Sequence, residues 1–124
     1  MAGSLVIFLS DGTYPRRWEA TSLAVTAAAL GDAVTVALSG DALRLWVAGR
    51  FDEGAPPGAA GEGVPPLSAT LAEARHDLGL RVVACETAVR LAGLEPEAIR
   101  PHLDGFQPLP SLWRLAREGH ALAF

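Results

Sequence analysis

Cys85 is the chain's single cysteine and its one strong nucleophile. It closes the apolar run Leu80-Arg-Val-Val-Ala-Cys85, and the spacing from Glu86 to Leu91 predicts a helix directly after it. A thiol at such a junction meets backbone N–H groups and the positive end of the helix dipole, which favour the reactive thiolate. Glu86 acts the other way, because a neighbouring negative charge raises a thiol pKa. A lone cysteine is also commonly a small buried apolar residue, so a nucleophile and a packed structural cysteine both stand as readings.

In parallel sheets ligands bind beyond the carboxyl ends of the strands, which adds three short segments to the candidates. Asp11-Gly12 follows the run Leu5 to Leu9, Ser39-Gly40-Asp41 follows Ala33 to Leu38, and Glu86-Thr87 follows Cys85. Asp11, Gly12, Ser39, Glu86 and Thr87 are therefore candidate binding residues. Asp11 and Asp41 are also ordinary turn and helix-cap residues. The segment Ser10-Asp11-Gly12-Thr13 has neither dinucleotide nor nucleotide-triphosphate spacing, so no phosphate loop is read there. His76, His102 and His120 are far apart without HxH or HxxxH spacing, and one cysteine excludes a disulfide within the chain, a CxxC pair or a multi-thiolate zinc site. No metal and no cofactor is expected.

Alternating elements must position these residues. Ser4 to Ser10 reads as a buried strand, and a helix over 15–30 follows, with Pro15 in its first turn and Trp18, Ser22, Val25 and Ala29 at helical spacing. Ala33 to Leu38 is a second strand, after which Asp41 caps a short helix with Leu43, Trp46 and Val47 on one face. Residues 49–66 hold nine Gly or Pro in eighteen positions and read as a flexible loop, either a disordered excursion or a lid. A helix from Leu67 to Leu78, the strand ending at Cys85, a helix to Leu91, a turn at Pro96 to Ile99, a short strand at Phe106-Gln107, a helix from Pro110 to Glu118 and a strand from His120 to Phe124 complete the chain. The pattern predicts one domain over 1–124, a three-layer α/β/α sandwich with a mostly parallel five-stranded sheet. Trp18, Trp46 and Trp113 all fall on helices, as core or subunit-contact residues.

With 124 residues, 50% of them hydrophobic and 19% charged, the chain should bury a core rather than remain disordered. Its net charge of −4 and longest basic run of Arg16-Arg17 argue against nucleic acid as a partner. The apolar stretch Leu5 to Leu9 lacks a preceding basic segment, and polar residues interrupt Leu23 to Leu38, so neither a signal peptide nor a membrane span is expected. These features predict a soluble, cytoplasmic protein, and three tryptophans with few charges predict a homo-oligomer.

The segment Leu80-Arg-Val-Val-Ala-Cys85, followed by Glu86-Thr-Ala-Val-Arg-Leu-Ala-Gly93-Leu94 and Glu95-Pro-Glu-Ala-Ile99, resembles the cysteine-bearing segment of the DsrE/DsrF-like sulfur-relay family. The resemblance extends to Val6-Ile-Phe-Leu-Ser-Asp-Gly12, to Val34-Thr-Val-Ala-Leu-Ser-Gly-Asp41 and to Gly119-His-Ala-Leu-Ala-Phe124, and so covers nearly the whole length. It implies an α/β fold of this size, a trimer or hexamer, and a cysteine, here Cys85, that takes sulfur from a donor protein as a persulfide and yields it to an acceptor. A non-catalytic module, binding a small ligand or serving assembly with Cys85 merely packed, is the alternative.

Overall fold

Apolar runs of four to six residues, each closed by a turn or helix start, become parallel strands because the intervening segments are long enough to cross back over the sheet. The computed structural model describes residues 3–59 and 62–124, so the loop expected over 49–66 falls partly outside the described residues. In chain order the elements are β1 (Ser4–Leu9), α1 (Tyr14–Ala29), β2 (Ala33–Leu38), α2 (Gly40–Val47), α3 (Leu67–Asp77), β3 (Arg81–Ala84), α4 (Glu86–Leu91), α5 (Pro96–Ile99), a 3₁₀ turn at Arg100–His102, β4 (Gly105–Phe106), α6 (Leu109–Arg117) and β5 (His120–Ala123). The strands form one parallel sheet in the order β4-β3-β2-β1-β5, with helices on both faces.

Strand alternation sorts the core into two unequal layers. Ile7, Leu9, Val36, Leu38, Val82 and Ala84 face α1, α2 and α3 and join the large cluster. Val6, Ala37 and Val83 face the other way, where Leu112 and Ala116 of α6 cover them. Gly119 fixes the turn into β5: a Cβ there would overlap the carbonyl and hydroxyl oxygens of Ser4. This contact brings β5 beside β1 with Leu5 opposite His120.

Two local expectations are corrected. The stripe Trp18, Ser22, Val25 and Ala29 does not form the inner face of α1; the buried residues are Arg17, Ala20, Thr21, Ala24 and Ala28. Small side chains let the helix lie close to the sheet, and the bulky Trp18 is displaced outward, 47% exposed. Trp113 is likewise exposed, so neither tryptophan is core, while the half-buried Trp46 donates its indole N–H to the His102 carbonyl at 2.8 Å. Asp41 does not cap α2, because the helix begins two residues earlier than that cap would set, with Ser39 at the cap position. Among the described residues no helix is long and apolar enough to cross a membrane.

Candidate functional site

The carboxyl end of the sheet carries two polar regions, one on each side of its plane. Register places Leu9 beside Leu38, Leu38 beside Ala84 and Ala84 beside Phe106. The next residues, Ser10, Ser39, Cys85 and Gln107, therefore form a row across the strand ends. Because Leu9, Leu38 and Ala84 face the helix-rich layer, alternation turns this row toward the α6 side. The backbone bonds Ser39 N–H to Leu9 carbonyl, 3.1 Å, and Gln107 N–H to Ala84 carbonyl, 3.0 Å, continue the ladder to that point.

Cys85 sits half-buried at the cap position of α4, with extended backbone. Its side chain makes no capping hydrogen bond. Burial pushes the thiol pKa up, but the N–H groups of Ala88 and Thr87, the Thr87 hydroxyl and the Leu109 N–H at the start of α6 together outweigh it and hold the thiol below the ordinary cysteine range. Groups at the starts of two separate helices thus act on one thiol in the same direction, which favours a thiolate without a neighbouring cation. Glu86 is exposed and turned toward Arg90 at 3.5 Å. It is not among the groups with the largest influence on the thiol.

Gln107 was not singled out from the sequence. Its amide donates to Ser111 Oγ at 2.9 Å, which ties the strand end beside Cys85 to the first turn of α6. The sequence reading places it inside a short strand at Phe106-Gln107, whereas the strand is Gly105–Phe106 and Gln107 follows it.

Asp11 and Gly12 lie in the second region, a cleft of about 520 Å³ lined also by Asp41, Arg44, Arg50 and Glu53. Cys85, Ser39, Glu86 and Thr87 do not line it. Its two guanidiniums are each paired with a carboxylate of the same wall. Arg44 bonds Asp41 and the Ala92 carbonyl, Arg50 chelates Glu53 at 2.6 and 2.7 Å, and Asp11 accepts the Thr13 N–H and hydroxyl at 2.7 and 2.6 Å. Those last two bonds, the hydroxyl's ahead of the backbone's, hold the Asp11 carboxyl below its usual range. Gly12 passes so near Asp41 that a Cβ would come within 2.7 Å of the Asp41 Cβ.

Arg17 builds the walls of this cleft from beneath. It is 2% exposed, and its guanidinium donates to the carbonyls of Gly12, Phe51 and Glu53, joining the turn after β1 to the turn after α2. Its Nε has no partner, and burial lowers its pKa against the pull of Asp52 and Glu53. Asp52 in turn accepts the N–H groups of Leu67 and Ser68 and the Ser68 hydroxyl, so it caps α3 across the Gly/Pro segment and closes that segment at its neck. The sequence did not single out Arg17, although it falls on the helical stripe of Ala20, Ala24 and Ala28.

Among the described residues no group of three His, Cys, Asp or Glu is arranged to hold a metal. No family model matches the chain, and no curated protein matches it.

Proposed function

We propose that the protein carries sulfane sulfur on Cys85, in the manner of the DsrE/DsrF-like proteins its sequence resembles. The observation that supports this is a half-buried thiol at the cap position of α4, its pKa held down by amide and hydroxyl groups of α4 and α6. The Cys85 thiolate attacks the outer sulfur of a donor persulfide, R–S–SH. A new S–S bond forms, the donor S–S bond breaks, and R–S⁻ leaves with the electron pair. The acceptor thiolate then attacks the outer sulfur on Cys85, and the Cys85 thiolate departs. Nothing is oxidised or reduced overall, and the donors that favour the thiolate make Cys85 a good leaving group in the second step. Such a carrier works in a reducing, cytoplasmic setting, between a protein donor and a protein acceptor, and as a homo-oligomer, which the exposed Trp18 and Trp113 support.

The second reading, a ligand-binding module with a structural cysteine, is favoured by one observation: the 520 Å³ cleft is separate from Cys85. Incubation with an alkyl persulfide followed by intact mass measurement separates the two. The relay reading expects one added sulfur per chain, lost completely in Cys85→Ser. A wild-type chain that gains no sulfur and resists alkylation until denatured would favour the module.

A further inference from the structure

The sheet ends in an exposed edge at β5. All four residues of β5 are exposed, and β1 is its one neighbour in the sheet. Phe124 donates its N–H to the Phe8 carbonyl at 2.7 Å and accepts from the Ser10 N–H at 2.9 Å. Residues bonded to one neighbour alternate along a parallel strand, so His120, Leu122 and Phe124 turn their backbone groups toward β1. Ala121 and Ala123 turn theirs outward, where no strand lies beside them among the described residues. His120–Ala123 has no proline, no lysine and no acidic residue to blunt this edge, and only its four-residue length limits it.

We propose that β5 pairs antiparallel with β5 of a second copy of this chain, about a two-fold axis passing beside Leu122, so that one sheet runs through both copies. The outward groups are self-complementary in this register. Ala121 of each copy stands opposite Ala123 of the other, and every outward N–H meets an outward C=O. A slip by one residue would set outward groups against inward ones and lose these bonds. Leu122 then faces its own symmetry mate at a non-hydrogen-bonded position, where side chains approach most closely. Leu122 is 40% exposed and shares its face of the sheet with Ile7, the face covered by α1. That helix reaches β5, since the Arg16 guanidinium lies 5.2 Å from the Phe124 ring, and one helical stripe further along it stands Leu23, 41% exposed. The second copy therefore gains backbone pairing and an apolar strip at once. A two-fold contact requires an even number of chains, a dimer or three such pairs in a hexamer, and excludes an isolated trimer.

Light scattering on the wild-type protein should give an even multiple of the 12.9 kDa chain. Ala123→Pro removes an outward donor and spares the bonds to β1, and Leu122→Lys sets two like charges face to face; each should halve the mass. A cross-link reads the register even if these variants fold poorly. Leu122→Cys in a Cys85→Ser background should oxidise to a covalent dimer, because facing Cα atoms about 4.5 Å apart fall within disulfide range. Ala48→Cys in the same background, exposed but far from the edge in sequence and sheet order, should not. A wild-type monomer or trimer overturns the proposal. So does an even-numbered assembly that survives both substitutions without a cross-link at position 122. Sulfur uptake by Cys85 is read by a different measurement and stands or falls separately.

Discussion

The two sides of the sheet's carboxyl end are built from opposite materials. On the helix-rich side the cleft holds three carboxylates and two guanidiniums, and Arg44 and Arg50 each meet a partner within three residues of themselves. On the α6 side the groups that lower the Cys85 pKa are backbone N–H groups and one hydroxyl. The difference teaches that abundance of ionisable residues does not mark the reactive place. Charges already paired hold a wall in shape, whereas helix-start donors that have no other acceptor remain free to stabilise a charge that develops during reaction.

The largest expected effect tests the structural half of this contrast. Arg17→Met keeps most of the buried volume but strands the carbonyls of Gly12, Phe51 and Glu53, which the backbone cannot withdraw. It should cost about 3 kcal/mol in urea unfolding, the scale of breaking a buried charged hydrogen-bond set. Limited proteolysis within 53–66 should speed up, while persulfide loading of the molecules still folded stays normal. If loading falls with the cleft, the two sides are coupled and the contrast is broken.

A smaller effect concerns Asp104, which accepts the Val82 N–H at 2.7 Å and both Arg75 nitrogens at 2.9 Å, and so anchors the strand that ends at Cys85. Burial raises its pKa, but the bonds from Arg75 and Val82 prevail and hold it below the usual carboxylate range. A depressed folded-state pKa gives stability that is full above the unfolded-state value and is lost as pH falls through the folded one. Asp104→Asn should therefore cost about 1–2 kcal/mol at neutral pH and nearly nothing once the wild-type carboxyl is protonated. Denaturant midpoints measured against pH check this; an equal loss at every pH would show that shape rather than charge holds the strand.

The sheet and helix order were legible because short apolar runs closed by Gly or polar residues have few other solutions. The inner face of α1 was not. Counting from Trp18 assumed that the largest apolar residue points inward, whereas the alanines at 20, 24 and 28 permit closer packing and carry Arg17 inside with them. The candidate site divided in the same way. Cys85 and Thr87 meet because they belong to one strand-to-helix junction, and Ser39 joins their row through strand register. Asp11 and Gly12 fall on the other side through strand parity, which a list of strand ends does not record. Asp52 capping α3 from fifteen residues away leaves no local signal at all.

The smallest effect decides which neighbours of Cys85 matter. Sequence adjacency makes Glu86 the obvious influence, but its carboxylate is exposed, lies beside Arg90 and is screened by water and salt. Thr87 is one residue further away and presents both an N–H and a hydroxyl to the sulfur. Thr87→Val removes the hydroxyl and keeps the N–H. It should slow iodoacetamide alkylation of Cys85 near neutral pH by about threefold. Glu86→Gln removes a full charge and should change the rate by less than about 1.5-fold at 0.15 M salt. Pseudo-first-order rates followed by mass spectrometry, from pH 6 to 9, give both numbers and place the thiol midpoint relative to the denatured chain. A Glu86→Gln effect larger than that of Thr87→Val would mean that through-space charge governs this thiol, and the account of it as an uncharged, donor-lined site would have to be given up.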